Sequence, residues 1–97
     1  MRRKIRPVFT DDNGKVYDTT TAKRIAYYDN MKPAKDPLFL SEEVFKKRNG
    51  EFFVYIQGGS QVKINDEWKV IPKEDVIEYV EGLKKRKGYF KQYFEEL

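Results

Sequence analysis

The longest unbroken apolar stretch of the chain is Phe52, Phe53, Val54, Tyr55 and Ile56. A strand that faces water on one side alternates apolar with polar side chains. A continuous β-branched and aromatic run therefore predicts a central strand covered on at least part of both faces. Arg48-Asn49-Gly50 stands just before it. The Asn-Gly pair predicts a type I′ hairpin turn that brings Val44 and Phe45, within residues 38–47, alongside the aromatic strand. Gly58 and Gly59 end that strand. The Gly-Gly-Ser there lacks the Gly-x-x-x-x-Gly-Lys spacing, and the following helix, with which a phosphate loop aims its amides.

A second Asn-Gly, in Asp11-Asp12-Asn13-Gly14, separates residues 4–10 from 15–18 and predicts another hairpin, with Pro7 confining the first run to an edge. Its carboxylates lack the ligand spacing of a calcium loop, so turn chemistry accounts for them. In 19–30, Ala22, Ile25, Ala26 and Asp29 follow a helical step, whereas Ile25 and Tyr27 alternate with Arg24, Ala26 and Tyr28 as in a strand. The threonines and tyrosines favour the strand. Residues 31–37, with two prolines, predict a loop. A further hairpin is expected from 61–64 and 68–71, with Val62 and Ile64 facing Trp68 and Val70.

Pro72 closes the last of these runs and opens a helix from about Lys73, with Glu74 and Asp75 in its first turn, where the helix dipole favours carboxylates. Val76, Ile77, Val80 and Leu83 fall at helical spacing, and Lys84, Lys85, Arg86 and Lys87 crowd the carboxyl end, where cations are favoured. Beyond Gly88, the residues Tyr89, Phe90, Tyr93, Phe94 and Leu97 recur at a helical step and predict a second, terminal helix. The expected fold is α+β: a small antiparallel sheet of about four to five strands with two C-terminal helices packed on one face. A single domain spans 1–97, divided into a basic arm (1–6), a β-rich part (7–71) and a helical part (72–97).

Composition narrows the chemistry. The chain has 97 residues and contains neither Cys nor His. No disulfide framework or thiolate metal site can staple the fold, and serine–histidine and cysteine–histidine catalysis are excluded. Seven Phe, seven Tyr and one Trp offset a modest apolar content, because each ring buries a large area. No apolar run reaches the length of a membrane span and no signal-peptide core follows the charged start, which points to a cytoplasmic protein without membrane contact.

The formal net charge is +4. Four of the twenty Lys and Arg residues, Arg2, Arg3, Lys4 and Arg6, lie in the first six positions, leaving sixteen against sixteen Asp and Glu in the rest. Such an arm is either a phosphate-tracking segment or a solvated terminus. Lys46, Lys47 and Arg48 form a second basic cluster and Lys84, Lys85, Arg86 and Lys87 a third. On one face the three could bind DNA or RNA, with exposed Tyr27, Tyr28 or Tyr55 stacking on bases. The second also has a structural explanation beside a turn, and the third at a helix end. The paired carboxylates Glu42-Glu43, Glu74-Asp75 and Glu95-Glu96 point apart on any regular element and read as solvated charge rather than an acid–base pair. Catalytic residues, metal ligands and cofactors are therefore not expected.

The string KVYDTTTAKRIAYYDN (15–30), followed after a loop by EEVFKKRNGEFFVYIQGG (42–59) and by a terminal part opening IPKEDVIEYV (71–80), resembles, over about residues 15–59 and loosely 71–97, a group of small proteins carried by phages and integrative elements of Gram-positive bacteria. That group includes anti-CRISPR-type inhibitors. The resemblance implies a non-enzymatic mobile-element protein that blocks a host RNA-guided nuclease by direct binding, its partner being the CRISPR effector protein or the effector's nucleic acid. Glu42, Glu43, Glu51, Glu95 and Glu96 could supply an acidic blocking surface, which the overall basic charge fits poorly; a basic blocker would instead compete for guide RNA or target DNA, or bind an acidic protein face. The alternative is a basic DNA- or RNA-binding accessory or regulatory protein. An assembly protein that oligomerises through the terminal aromatic stripe is a third reading, which leaves monomer and homodimer both open.

Overall fold

The computed structural model describes residues 8–62 and 67–93. In chain order they form β1 (Val8–Thr10), β2 (Val16–Asp18), β3 (Lys23–Asp29), β4 (Leu40–Lys46), β5 (Phe52–Gly58), β6 (Glu67–Ile71), a 3-10 turn (Lys73–Asp75), α1 (Val76–Lys85) and β7 (Tyr89–Gln92). Strands β1 and β2 make a two-stranded sheet, and the other five form a sheet in the order β6-β5-β4-β3-β7. Every neighbouring pair is antiparallel.

This corrects the expected α+β layout. The described residues hold seven strands in two sheets and one short helical segment, not four to five strands beneath two terminal helices. The segment expected as a second helix pairs instead with β3, from Tyr89 opposite Asp29 to Gln92 opposite Ala26. A terminal helix of that length cannot repay its own nucleation, whereas an open strand edge offers a full set of backbone partners to a Tyr- and Phe-rich segment. Phe94 and Leu97 of the expected stripe, and the basic arm, lie outside the described residues.

Strand β5 is buried along its whole length because the sheet is covered on both faces. On one side Phe52, Val54 and Ile56 join Ile25, Ala26, Tyr28, Val44 and Ile71 beneath Val76, Val80 and Leu83 of α1. On the other, Phe53 and Tyr55 join Phe45 beneath Tyr17 and Phe9 of the β1–β2 hairpin. Ile77, expected in the helix stripe, is exposed; the buried stripe runs through positions 76, 80 and 83.

Both Asn-Gly turns have the same construction. Gly14 N–H donates to Asp11 O and Asp11 N–H to Lys15 O; Gly50 N–H donates to Lys47 O and Lys47 N–H to Glu51 O. The two glycines have positive φ, and neither Asn does. These are three-residue loops with a glycine bulge, not the expected type I′ turn, which needs positive φ at two successive positions. Gln61 and Val62 lie in a turn that follows Gly59, and β6 pairs with β5, so no 61–62 strand faces Trp68. Residues 63–66 lie outside the described residues.

From β6 the chain leaves one edge of the sheet, crosses one face as α1 and returns as β7 at the opposite edge. Gly88 makes the return possible: a Cβ there would stand 2.3 Å from Asp29 O and 2.9 Å from Tyr28 Cε1. No helix among the described residues is long and apolar enough to cross a membrane.

Candidate functional site

The hairpin layer covers only part of its face of the sheet. Strand pairing lays out one row across that face: Trp68 on β6, Tyr55 on β5, Glu43 on β4, Tyr27 on β3 and Lys91 on β7. Beside it runs Val70, Phe53, Phe45 and Arg24. The face is thus apolar under the hairpin, polar at β4, and aromatic and cationic over β3 and β7.

A bulge builds the open end. Strict alternation would put Arg24 on the same side as Ala26 and Tyr28, facing the helix. The β3–β4 register shifts between Arg24 and Ala26, and both Ile25 and Ala26 enter the helix-side core. Arg24 is thereby re-aimed onto the face that carries Tyr27, a recognised effect of a bulge. Its Nε lies 3.0 Å from Glu43 Oε2, and its Nη1 donates to the Tyr93 hydroxyl at 3.2 Å. Glu43 is 2% exposed, so Arg24 is held by a carboxylate at the sheet centre.

The odd-numbered residues of the last segment, Tyr89, Lys91 and Tyr93, continue along the same face of the sheet as Tyr27 and Arg24. Tyr89 is 47% exposed and Tyr93 38% exposed. The Tyr89 ring lies 6.1 Å from that of Tyr27, tilted by 57°. Arg24 and Lys91 both lie over the Tyr93 ring, at 5.4 and 4.9 Å from its centroid. Tyr27 donates to Asp29 Oδ2 at 2.8 Å, which fixes its ring. Ser41 and Gln57 are buried in the row that ends at Asp29 and Tyr89, and Gln57 Nε2 has no hydrogen-bond partner.

The residues singled out from sequence are scattered. Lys46 and Lys47 lie over the Phe52 and Tyr17 rings, and Lys47 also pairs with Glu51, which in turn binds Lys15. Arg48 is exposed at the tip of the β4–β5 turn. Lys84 and Lys85 are exposed in the last turn of α1 and Lys87 just beyond it, while Arg86 binds Glu42 and lies over Tyr28. Lys46 faces Lys23 and Phe52 at one end of the sheet, and α1 runs from that end to the other, where Tyr89 pairs with Asp29. The two clusters are therefore separated by the length of β4, about 20 Å for seven residues. They do not make one face. Tyr28 and Tyr55 are buried and cannot stack on a base; Tyr27 alone of the expected tyrosines reaches the open surface.

Glu42 and Glu43 are not solvated as expected. They do point apart, but each goes into a covered face. Glu42 accepts from the Tyr79 hydroxyl and from Arg86 on the helix side. Burial, followed by the hydrogen bond to Glu42, pushes the Tyr79 phenol well above its ordinary range, so it stays a donor. Among the described residues no group of three or more Asp or Glu is arranged to hold a metal.

Sequence reasoning missed Arg24, Lys91, Tyr89 and Tyr93 as a set. The last three alternate at positions 89, 91 and 93, a strand period that competed with the helical stripe. Comparison with known proteins adds nothing: no family model, no curated protein and no solved structure matches the chain.

Proposed function

We propose that the protein is a non-enzymatic binding protein of the bacterial cytoplasm that engages nucleic acid through the open β3–β7 face. One observation supports this reading above the others: Arg24, Tyr27, Tyr89, Lys91 and Tyr93 share a part of the sheet surface that the described hairpin leaves uncovered. Cations interleaved with exposed rings are the chemistry of a nucleic-acid surface, in which the charges take phosphates and the rings take bases. The two expected basic clusters have structural partners or lie at opposite ends of the sheet, so the surface is drawn from other residues.

The same observation bears on how an inhibitor would act. Glu42 and Glu43 are buried and Glu51 is paired with two lysines, which removes most of an acidic, DNA-imitating surface. An inhibitor of an RNA-guided nuclease, the class to which the sequence resemblance points, would on this face compete for the guide or target strand. A protein partner is the second reading, favoured because Tyr and Arg are the residues on which protein interfaces concentrate their binding energy.

Titration of the full-length protein into labelled oligonucleotides at about 50 and 200 mM salt tests the first reading. Affinity should fall with salt, and Lys91→Glu should weaken it at least about tenfold, while Lys84→Ala with Lys85→Ala changes it less. Failure to bind any oligonucleotide, with a host nuclease captured on the same face instead, would decide for the protein partner.

A further inference from the structure

We infer that the nucleic acid this face takes is single-stranded, with an unpaired base on the Tyr27–Tyr89 pair and the adjoining phosphate on Lys91 and Arg24. The inference rests on the nucleic-acid reading above and goes beyond it to the substrate class. The two halves of the site differ in kind. Tyr27 and Tyr89 are neighbours with rings 6.1 Å apart and inclined at 57°, so they do not stack on each other. The exposed Tyr89 ring is available to a planar ligand. Tyr93, by contrast, has Arg24 and Lys91 over its ring. It acts as the support that gathers two cations, and Arg24 is further fixed by buried Glu43.

Alternation along β7 sets the spacing. Tyr89 and Lys91 are two residues apart on one face, about 7 Å, which is the separation between a ring and a charge that base and backbone of one nucleotide can bridge. In a duplex each base is stacked at about 3.4 Å on its neighbours, so both of its faces are occupied. Only an unpaired base offers a face to Tyr89. The residues that make up the site lie on strands β3 and β7 and at position 93, not on a helix. A sheet carrying rings for bases and charges for phosphates is a stacking platform, and such platforms are sequence-tolerant because every base has a π-face.

The test compares a labelled 12-nucleotide oligothymidine strand with a duplex of equal length, by fluorescence anisotropy with the full-length chain at about 50 mM salt. The single strand should bind at least about tenfold more tightly. Tyr89→Ala should weaken single-strand binding about 5- to 100-fold, and Tyr89→Phe should retain it, since the ring and not the hydroxyl does the stacking. Lys91→Ala should lower the salt slope by about 0.7, one phosphate's share for a single strand. Tyr89 is surface-exposed, and a thermal melt of each variant confirms that it is folded. Equal binding to strand and duplex, indifferent to Tyr89→Ala but weakened by Lys91→Ala, would overturn the single-strand inference and leave the broader reading standing. Absence of binding to both would overturn the two together.

Discussion

At the scale of single residues, Glu42 and Glu43 show how an environment reverses what adjacency suggests. Two neighbouring carboxylates in a charge-rich chain read as solvated, and alternation correctly sends them to opposite faces. Alternation does not reveal that both faces are covered at β4, the middle strand. Each carboxylate is held by an arginine, Glu42 by Arg86 and Glu43 by Arg24, partners far away in sequence. Glu42 also accepts from Tyr79, whose phenol is raised by burial and by that bond. Replacing Tyr79 by Phe should cost about 1.5 kcal/mol at neutral pH, the worth of a hydrogen bond to a charged group. A group whose folded pKa lies above its unfolded value contributes stability in full below the unfolded value, here 10.0, and loses it as pH rises toward the folded one. The gap between wild type and Tyr79→Phe in urea melts should therefore be constant below pH 10 and close above it. A gap that stays open at higher pH would show that Tyr79 is not held protonated.

At the scale of elements, legibility followed how locally each one is determined. The two hairpins flanking Asn13-Gly14 and Asn49-Gly50 could be read because the turn residues and strand partners lie within a few positions of each other. Their turn type could not, since an Asn-Gly also fits a loop one residue longer. The aromatic run of β5 and the start of α1 after Pro72 were readable for the same local reasons. Strand β7 was not. Its partner β3 lies some sixty residues earlier, and only the edge that β3 leaves open turns a four-residue segment with two aromatics into a strand. Gly88 is the residue on which this depends, with φ of 149° and the Asp29 carbonyl where a Cβ would sit. Gly88→Ala should destabilise by about 2–4 kcal/mol and selectively speed amide exchange along β7 and the outer edge of β3. Gly82 provides the contrast: it lies inside α1 with nothing within 4 Å of an added Cβ, so Gly82→Ala should stabilise by about 0.5–1 kcal/mol. Similar effects at the two glycines would refute the close-approach account.

At the scale of the whole molecule, the hairpin layer and the helix layer are fastened to the sheet by different means. The helix side is secured by an apolar cluster running from Ile25 to Leu83. The hairpin side has a smaller cluster in which aromatic rings dominate, and its turns are tied by carboxylates. Asp11 is lowered chiefly by the Lys15 backbone N–H, Asp18 by the Thr20 hydroxyl, and Glu51 by its bond to Lys15, which joins the hairpin to the β4–β5 turn. A carboxylate with a depressed folded pKa stabilises above its unfolded value and loses that contribution as pH falls through the folded one. The unfolded values are 3.8 for Asp and 4.5 for Glu, so the hairpin layer should hold above pH 5 and loosen below about pH 4. Trp68 reports on that layer directly, because it is the only tryptophan and stacks between Phe9 at 4.4 Å and Tyr55 at 4.6 Å. On acid titration its fluorescence should change at higher pH than the far-ultraviolet dichroism of the five-stranded sheet and α1. Glu51→Gln should move the fluorescence transition of the remaining carboxylates while leaving the dichroism transition in place. Coincident transitions in both signals would mean that the layers part together and that the turn carboxylates do not govern the hairpin separately.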